Sequence, residues 1–228
     1  MSERIKVAIL EDHQSIIDGY IYRLNESPDI EVVGTAAFGE DLDKMLESTP
    51  MDVLIMDIHV PSRPDNPNPF PALHVTRRVI QKYPNLNILV ISILTQQTLI
   101  QALVELGISG YIFKQDSESI RQLSKIVMMI ARHGIYFSQE AYNKLRMEKS
   151  SRASVTFTAR QLEALSLCAA YPDQSTSEIA AQMKVTGSTL RNLLSSAYLR
   201  LDVRTRAAAI ARLQQMGLIA SNSPGGGS

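Results

Sequence analysis

The sequence predicts an α/β fold, an open parallel sheet flanked by helices, followed by a small all-α domain. Three observations carry this. Short apolar runs alternate with amphipathic stretches through the first 135 residues, four of those runs end on polar chemistry, and beyond residue 156 only a helical period remains. Strands alternating with helices of this length argue for stacked βαβ units. Continuous runs such as VLIM and ILVI suit strands covered on both faces.

The elements follow in order. Strands are expected over 5–10, 31–36, 53–57, 88–92 and 110–113, with helices near 14–25, 39–48, 71–83, 96–106 and 117–133. Gly107 and Gly110 bracket the turn before the last strand, where a positive φ is cheap. Residues 138–148 read as another helix with Ser138 as its N-cap, and the polar stretch 149–154 reads as a linker. Thr158-Ala-Arg-Gln161 and Ser175-Thr-Ser-Glu178 fit the capping-box pattern of helix starts. Thr186 caps a third helix running to about Leu201, and a fourth spans Thr205 to Met216 and stops at Gly217. The expected division is a first domain at 1–136, a helix and linker at 137–155, a helical domain at 156–220 and a linker-like, disordered tail at 221–228.

Composition excludes several classes. With 45% apolar and 20% charged residues among 228, the chain can bury a core and is not globally disordered. The formal charge of zero hides an asymmetry: residues 1–151 carry a net −4 and residues 152–220 a net +4. An acidic part followed by a basic one suggests metal and phosphate chemistry first and a polyanion partner second. A single cysteine, Cys168, excludes an internal disulfide and fits a reducing cytosol. No signal-peptide core and no run of 18 apolar residues is present, so a cytoplasmic protein without membrane contact is expected.

The four polar run-ends are Glu11-Asp12, Asp57, Ser92 and Lys114. A parallel sheet binds its ligand outside the carboxyl ends of its strands, so these groups should meet there. A carboxylate attacking phosphorus faces charge repulsion, and two or three carboxylates suffice to hold Mg²⁺ against it. A hydroxyl and an ammonium would then stabilise the remaining phosphoryl oxygens. The set reads as a phosphoryl site with Asp57 as acceptor.

The motifs ILEDH at 9–13, MDIHVP at 56–61, ISIL at 91–94 and GYIFKQ at 110–115 resemble the receiver domains of two-component response regulators over residues 4–133. The resemblance implies a flavodoxin-like, five-stranded parallel sheet of order 2-1-3-4-5. It implies phosphotransfer from a sensor histidine kinase onto Asp57, with Mg²⁺ held by Glu11, Asp12, Asp57 and the backbone carbonyl of His59. It also makes Tyr111 a switch residue that moves inward as the Ser92 hydroxyl reaches the phosphate. One segment departs from the family: residues 62–71 are about five residues longer than usual, lack glycine and hold four prolines. That loop is expected to shield Asp57, dock a partner or alter phosphate loss, or else to be a tolerated surface insertion.

Residues 175–201 have the shape of a helix-turn-helix, whose second helix lies in the major groove. On it Ser188, Arg191, Asn192 and Ser195 share a polar face, opposite Leu190, Leu193, Leu194, Ala197 and Tyr198. Arg191 suits guanine and Asn192 adenine, and Arg200, Arg204 and Arg206 are expected at phosphates. FTARQLEALSLCA, SEIAAQM, VTGSTLRNLL and YLRLDVRTRAAAI are similar to the LuxR/NarL-type four-helix DNA-binding domain over 156–219. Leu193 and Ser195 stand where that family carries polar or basic residues, so modest affinity is expected from a monomer, offset by a homodimer reading two half-sites.

The combined expectation is a regulator rather than an enzyme, in which phosphorylation of Asp57 controls binding to double-stranded DNA and transcription. One alternative is a phosphorylation-independent regulator whose helical domain or Pro-rich loop binds protein. Another is a phosphohydrolase, which His59 disfavours by standing where a second acid is needed.

Overall fold

A computed structural model describes residues 4–146 and 157–219, so the expected linker at 149–154 and the tail lie outside the described residues. Its strands in chain order are β1 (Ile5–Leu10), β2 (Ile30–Ala36), β3 (Val53–Met56), β4 (Pro61–Arg63), β5 (Asn66–Pro69), β6 (Asn87–Ser92), β7 (Gly110–Phe113) and β8 (Tyr136–Phe137). Six of them form one parallel sheet of order β2-β1-β3-β6-β7-β8, while β4 and β5 pair separately and antiparallel. The first five strands of the main sheet follow the expected 2-1-3-4-5 order. The sixth strand and the hairpin are additions.

Side chains alternate across the sheet with the strand period of two. Val7, Ile9, Val53, Ile55, Leu89, Ile91 and Ile112 face helices α1 (Gln14–Leu24) and α6 (Leu123–Ala131). Ala8, Leu10, Leu54, Met56, Ile88, Val90 and Phe113 face α2 (Asp41–Ser48), α3 (Ala72–Lys82) and α4 (Gln97–Leu106). The helix expected over 117–133 is broken at Gln122, giving α5 (Ser117–Arg121) before α6.

The Pro-rich segment is a hairpin rather than an open loop. Pro61 pairs with Pro69 and Arg63 with Asn66, and the hairpin is tied to the loop after β2. There the Gly39 N–H donates to the Pro61 carbonyl at 3.0 Å, the Glu40 N–H to the Ser62 carbonyl at 3.1 Å, and Arg63 pairs with Glu40 at 2.9 Å. A two-stranded piece this short is not stable alone, so these anchors and the burial of Phe70 at its base hold it.

After α6 the chain reverses through His133, at φ 62, and Gly134, then lies along β7 as β8. The close approach is possible because Gly110 has no side chain: a Cβ there would overlap the Tyr136 carbonyl oxygen. The next helix is α7 (Gln139–Arg146).

The second domain comprises α8 (Ala159–Ala170), α9 (Thr176–Gln182), α10 (Gly187–Leu201) and α11 (Arg206–Gln215). Thr158 and Ser175 make full capping boxes, and the Thr186 and Thr205 hydroxyls cap α10 and α11. Every residue of α8 from Gln161 to Ala170 is buried, which a helix on the edge of a free four-helix domain would not be. It packs on α3, α4 and β5 of the first domain on one side and on α10 and α11 on the other. The apolar cluster under α3 and α4 thus continues into Leu162, Leu165, Ala169, Leu213 and Leu218. The two domains share a core.

Gly110→Ala should destabilise the chain by about 1–3 kcal/mol, because the clash is with backbone and relieving it separates β8 from β7. Urea unfolding checks this; a midpoint equal to wild type would contradict the close packing of that edge.

Candidate functional site

β1, β3, β6 and β7 are adjacent in the sheet, so their C-terminal ends bring Glu11, Asp57, Ser92 and Lys114 together. Glu11, Asp57 and Ser92 are buried. Lys114 Nζ lies 2.6 Å from Glu11 Oε2 and 2.7 Å from Asp57 Oδ2, bridging the two carboxylates. Burial acts to raise the Glu11 carboxyl above the usual range, with Asp57 adding to the rise and Lys114 opposing it. For Lys114, burial acts to neutralise the ammonium, but Asp57 and Glu11 outweigh it and hold its pKa above the ordinary lysine value. The His59 N–H donates to Asp57 Oδ1 at 2.9 Å, so His59 adjoins the Asp57 carboxylate through its amide.

Asp12 stands at the rim, and His13, which the sequence reading did not single out, approaches its Oδ1 to 2.8 Å through Nδ1. Glu11, Asp12 and His13 offer ligand atoms all within 4.8 Å of one another. Glu11 Oε2 meets only the Lys114 ammonium among the described residues, so one cation is shared by two buried carboxylates. A hard divalent cation fits such an oxygen-rich set.

Ser92 and Tyr111 lie one step further in. The Leu94 N–H donates to Ser92 Oγ at 3.4 Å, and the Tyr111 hydroxyl donates to the Leu94 carbonyl at 2.5 Å. Tyr111 is fully buried, its ring edge-on to Phe113 with centroids 5.5 Å apart, and burial pushes its phenol well above the ordinary value. Leu94 also lines the seam between the domains. A cavity of about 20 Å³ there is walled by Ile58, Phe70 and Leu94 from one side and Leu162, Leu213 and Leu218 from the other. Residues next to Asp57 and Ser92 therefore touch the second domain directly.

On α10, Ser188, Arg191, Asn192 and Ser195 are exposed, while Leu190 and Ala197 are buried and Leu193, Leu194 and Tyr198 partly so. The helix thus has the expected two faces, and the docked first domain leaves the polar one open. Leu199, 82% exposed, adds an apolar group to the outer surface. Arg200 and Arg204 are exposed as well. Arg206 departs from expectation: its guanidinium donates to the carbonyls of Gln174 at 2.7 Å, Cys168 at 3.0 Å and Tyr171 at 2.6 Å. These are orphan acceptors at the end of α8 and in the following loop, so Arg206 is spent on holding the domain together.

Sequence reading also missed Glu163, a carboxylate only 2% exposed at the domain junction. It accepts from Arg77 Nε at 2.9 Å and from Arg160 Nη1 at 2.8 Å, and His74 Nδ1 lies 3.2 Å away. His74 and Arg77 belong to α3, so the pair crosses the interface. Burial acts to raise the Glu163 pKa, but His74, Arg160 and Arg77 together hold it below the usual carboxylate range.

Comparison with known proteins bears on the family and the fold. Residues 7–126 match the response regulator receiver domain. The chain is 27% identical to the transcriptional regulatory protein DesR of Bacillus subtilis, over 93% of this chain and 98% of that one. It is 25% identical to the transcriptional regulatory protein DegU of Brevibacillus brevis, over 91% and 92% respectively. Among solved structures it resembles RcsB of Salmonella enterica serovar Typhimurium bound to promoter rprA with the phosphomimetic BeF3⁻, with a TM-score of 0.64, 20% identity and coverage of 93% and 99%. At that identity the likeness speaks for the fold.

The depressed pKa of Glu163 gives domain docking a definite pH dependence. The stabilisation is fully present above the ordinary glutamate pKa of about 4.3 and is lost as pH falls through the lower pKa of the docked state. Small-angle scattering across an acid titration should show wild type expanding as that range is crossed. Glu163→Gln should lack this component and dock more weakly at pH 7 by about 1–3 kcal/mol; identical titrations of the two proteins would contradict the role given to Glu163.

Proposed function

The chain belongs to the response regulator receiver family, and from that premise we propose that it is a DNA-binding transcription regulator controlled by phosphorylation of Asp57. The observation that carries the reading is the bridge from Lys114 Nζ to Glu11 and Asp57, 2.6 and 2.7 Å long at the carboxyl edge of the sheet. In the proposed step an Asp57 carboxylate oxygen attacks the phosphorus of a phosphohistidine donor. The O–P bond forms as the P–N bond breaks, and the electron pair leaves on the donor imidazole. Lys114 then exchanges a carboxylate for a phosphoryl oxygen, and the Ser92 hydroxyl donates to another. Glu11, Asp12 and Asp57, with the His59 carbonyl, would hold Mg²⁺, which supplies positive charge against the incoming oxygens.

The response reaches the second domain through its neighbours. A Ser92 side chain drawn toward a phosphoryl group gives up its contact with the Leu94 amide, and Leu94 is held by Tyr111 and packed in the seam. Two arrangements of that segment would bias two arrangements of the domains. Arg191, Asn192 and Ser195 are already exposed to solvent in the docked form, which favours control by other means than uncovering those side chains. It acts on how domains are placed for a second copy to read a second half-site, a mode that RcsB, reported as dimers bound to DNA, supports by analogy.

Arg191 and Asn192 are assigned to base edges, and Arg200 and Arg204 to phosphates. Arg206 is left out of that set. The Pro-rich hairpin is engaged internally, with β5 against α8 and Phe70 in the seam, which favours a structural role for it over an outside partner.

Genome-wide DNA capture with wild type and Asp57→Asn in parallel tests the reading. Discrete sites for the wild type, weakened in the variant, are expected; no sites for either protein would sink it. At a captured site Arg191→Ala should cost about 1–3 kcal/mol and relax the preference at one base position, as read by titrating single-base operator variants.

A further inference from the structure

The junction between the domains holds a second feature that phosphorylation of Asp57 does not use. Beside Glu163 lies a cleft of about 100 Å³, lined by His74 and Arg77 from α3, Arg160 and Glu163 from α8, and Gln182 and Lys184 at the turn between α9 and α10. Its lining carries four full positive charges, on Arg77, Arg78, Arg160 and Lys184, against one negative charge on Glu163. Arg78 is paired with Asp43, which leaves a surplus of two, His74 not counted.

The donors there are only partly used. Glu163 takes Nε of Arg77 and Nη1 of Arg160. Among the described residues nothing pairs with Nη1 or Nη2 of Arg77, and Nη2 of Arg160 has only a long 3.5 Å contact to the Met183 carbonyl. Lys184 has no side-chain partner among the described residues. It also sits at φ 53, in the left-handed region, at a helix-end position that glycine or asparagine fills most readily. The buried carboxylate acts as an organiser: by holding one nitrogen of each guanidinium it fixes the planes of both and leaves their other nitrogens for a ligand. Guanidinium groups pre-set in this way suit the paired oxygens of a phosphoryl group.

We propose that this cleft is a binding site for a free, small, multiply charged oxyanion of the diphosphate class, held by Arg77, Arg160 and Lys184. A free anion is favoured over the backbone of bound DNA because the site is recessed: Arg77 and Arg160 are only 27% and 37% exposed and lie between the two domains. Its donors come from both domains, so the anion binds the docked form and stabilises it by mass action. The site would let the concentration of a phosphorylated small molecule oppose or reinforce the domain rearrangement.

Equilibrium dialysis of the full chain with pyrophosphate, without divalent cations so that the acidic site cannot capture it, tests this. Saturable one-to-one binding by the wild type is expected. It should weaken about tenfold or more in Lys184→Glu and be kept within about twofold in Lys184→Arg, with circular dichroism and melting unchanged in both. Lys184→Gln, losing the charge without reversing it, gives the same reading should Lys184→Glu fail to fold. Absence of saturable binding at millimolar pyrophosphate, or equal binding by wild type and the charge-removing variants, overturns the proposal. So does a third result, no pyrophosphate binding together with a salt dependence of DNA affinity lowered by about one unit in Lys184→Glu, which would assign the cleft to a DNA phosphate.

Discussion

One ammonium group organises the carboxyl edge of the sheet. Lys114 bridges Glu11 at the end of β1 and Asp57 at the end of β3, and its own N–H donates to the Ser92 carbonyl at 3.0 Å at the end of β6. Two buried carboxylates that share one cation repel each other, and Lys114 offsets that repulsion by pairing with both. The balance that stabilises the site also makes it responsive. On the proposed reading, a phosphoryl group on Asp57 would add nearly two negative charges where one positive charge already serves two negative ones, and Lys114 would redistribute.

That redistribution matters because the site is not insulated from the rest of the chain. Ile58 follows Asp57, Leu94 follows Ser92 by two residues, and both line the seam against Leu162, Leu213 and Leu218. The Tyr111 hydroxyl pins the Leu94 carbonyl from the sheet side. Close-packed interiors yield between discrete arrangements rather than deforming smoothly, so a shift at Leu94 is felt by α8. The apolar seam supplies docking energy without directionality. Glu163, reaching from α8 to His74 and Arg77, supplies the direction.

Much of this was legible in the sequence. The strand ends were, because the period of a buried strand and the polar residue closing it are adjacent in the chain. Three of the four helix starts of the second domain were equally local, since a capping residue and its partner lie three positions apart, as at Thr158 and Gln161. What escaped was non-local. The four prolines of 62–71 read as an irregular loop, yet hydrogen bonds from Gly39 and Glu40 draw them into a hairpin. Tyr136 and Phe137 are too short a run to read as a strand until Gly110 is seen to leave room for them. Arg206 shares its charge with Arg200 and Arg204, and nothing in the spacing shows that it turns inward to carbonyls more than thirty residues back. Glu163 sits among apolar residues with its cross-domain partners 86 and 89 positions away.

The dependence of domain placement on Asp57 can be measured directly. Spin labels at Glu105→Cys and Ala211→Cys, both exposed and on opposite sides of the junction, report the distance between α4 and α11 by double electron–electron resonance. With Mg²⁺ and the phosphoryl mimic BeF3⁻, the distance distribution should shift away from the docked value while DNA affinity rises, and neither should change in an Asp57→Asn background. A distribution that stays unchanged as DNA affinity rises would contradict control through the domain junction.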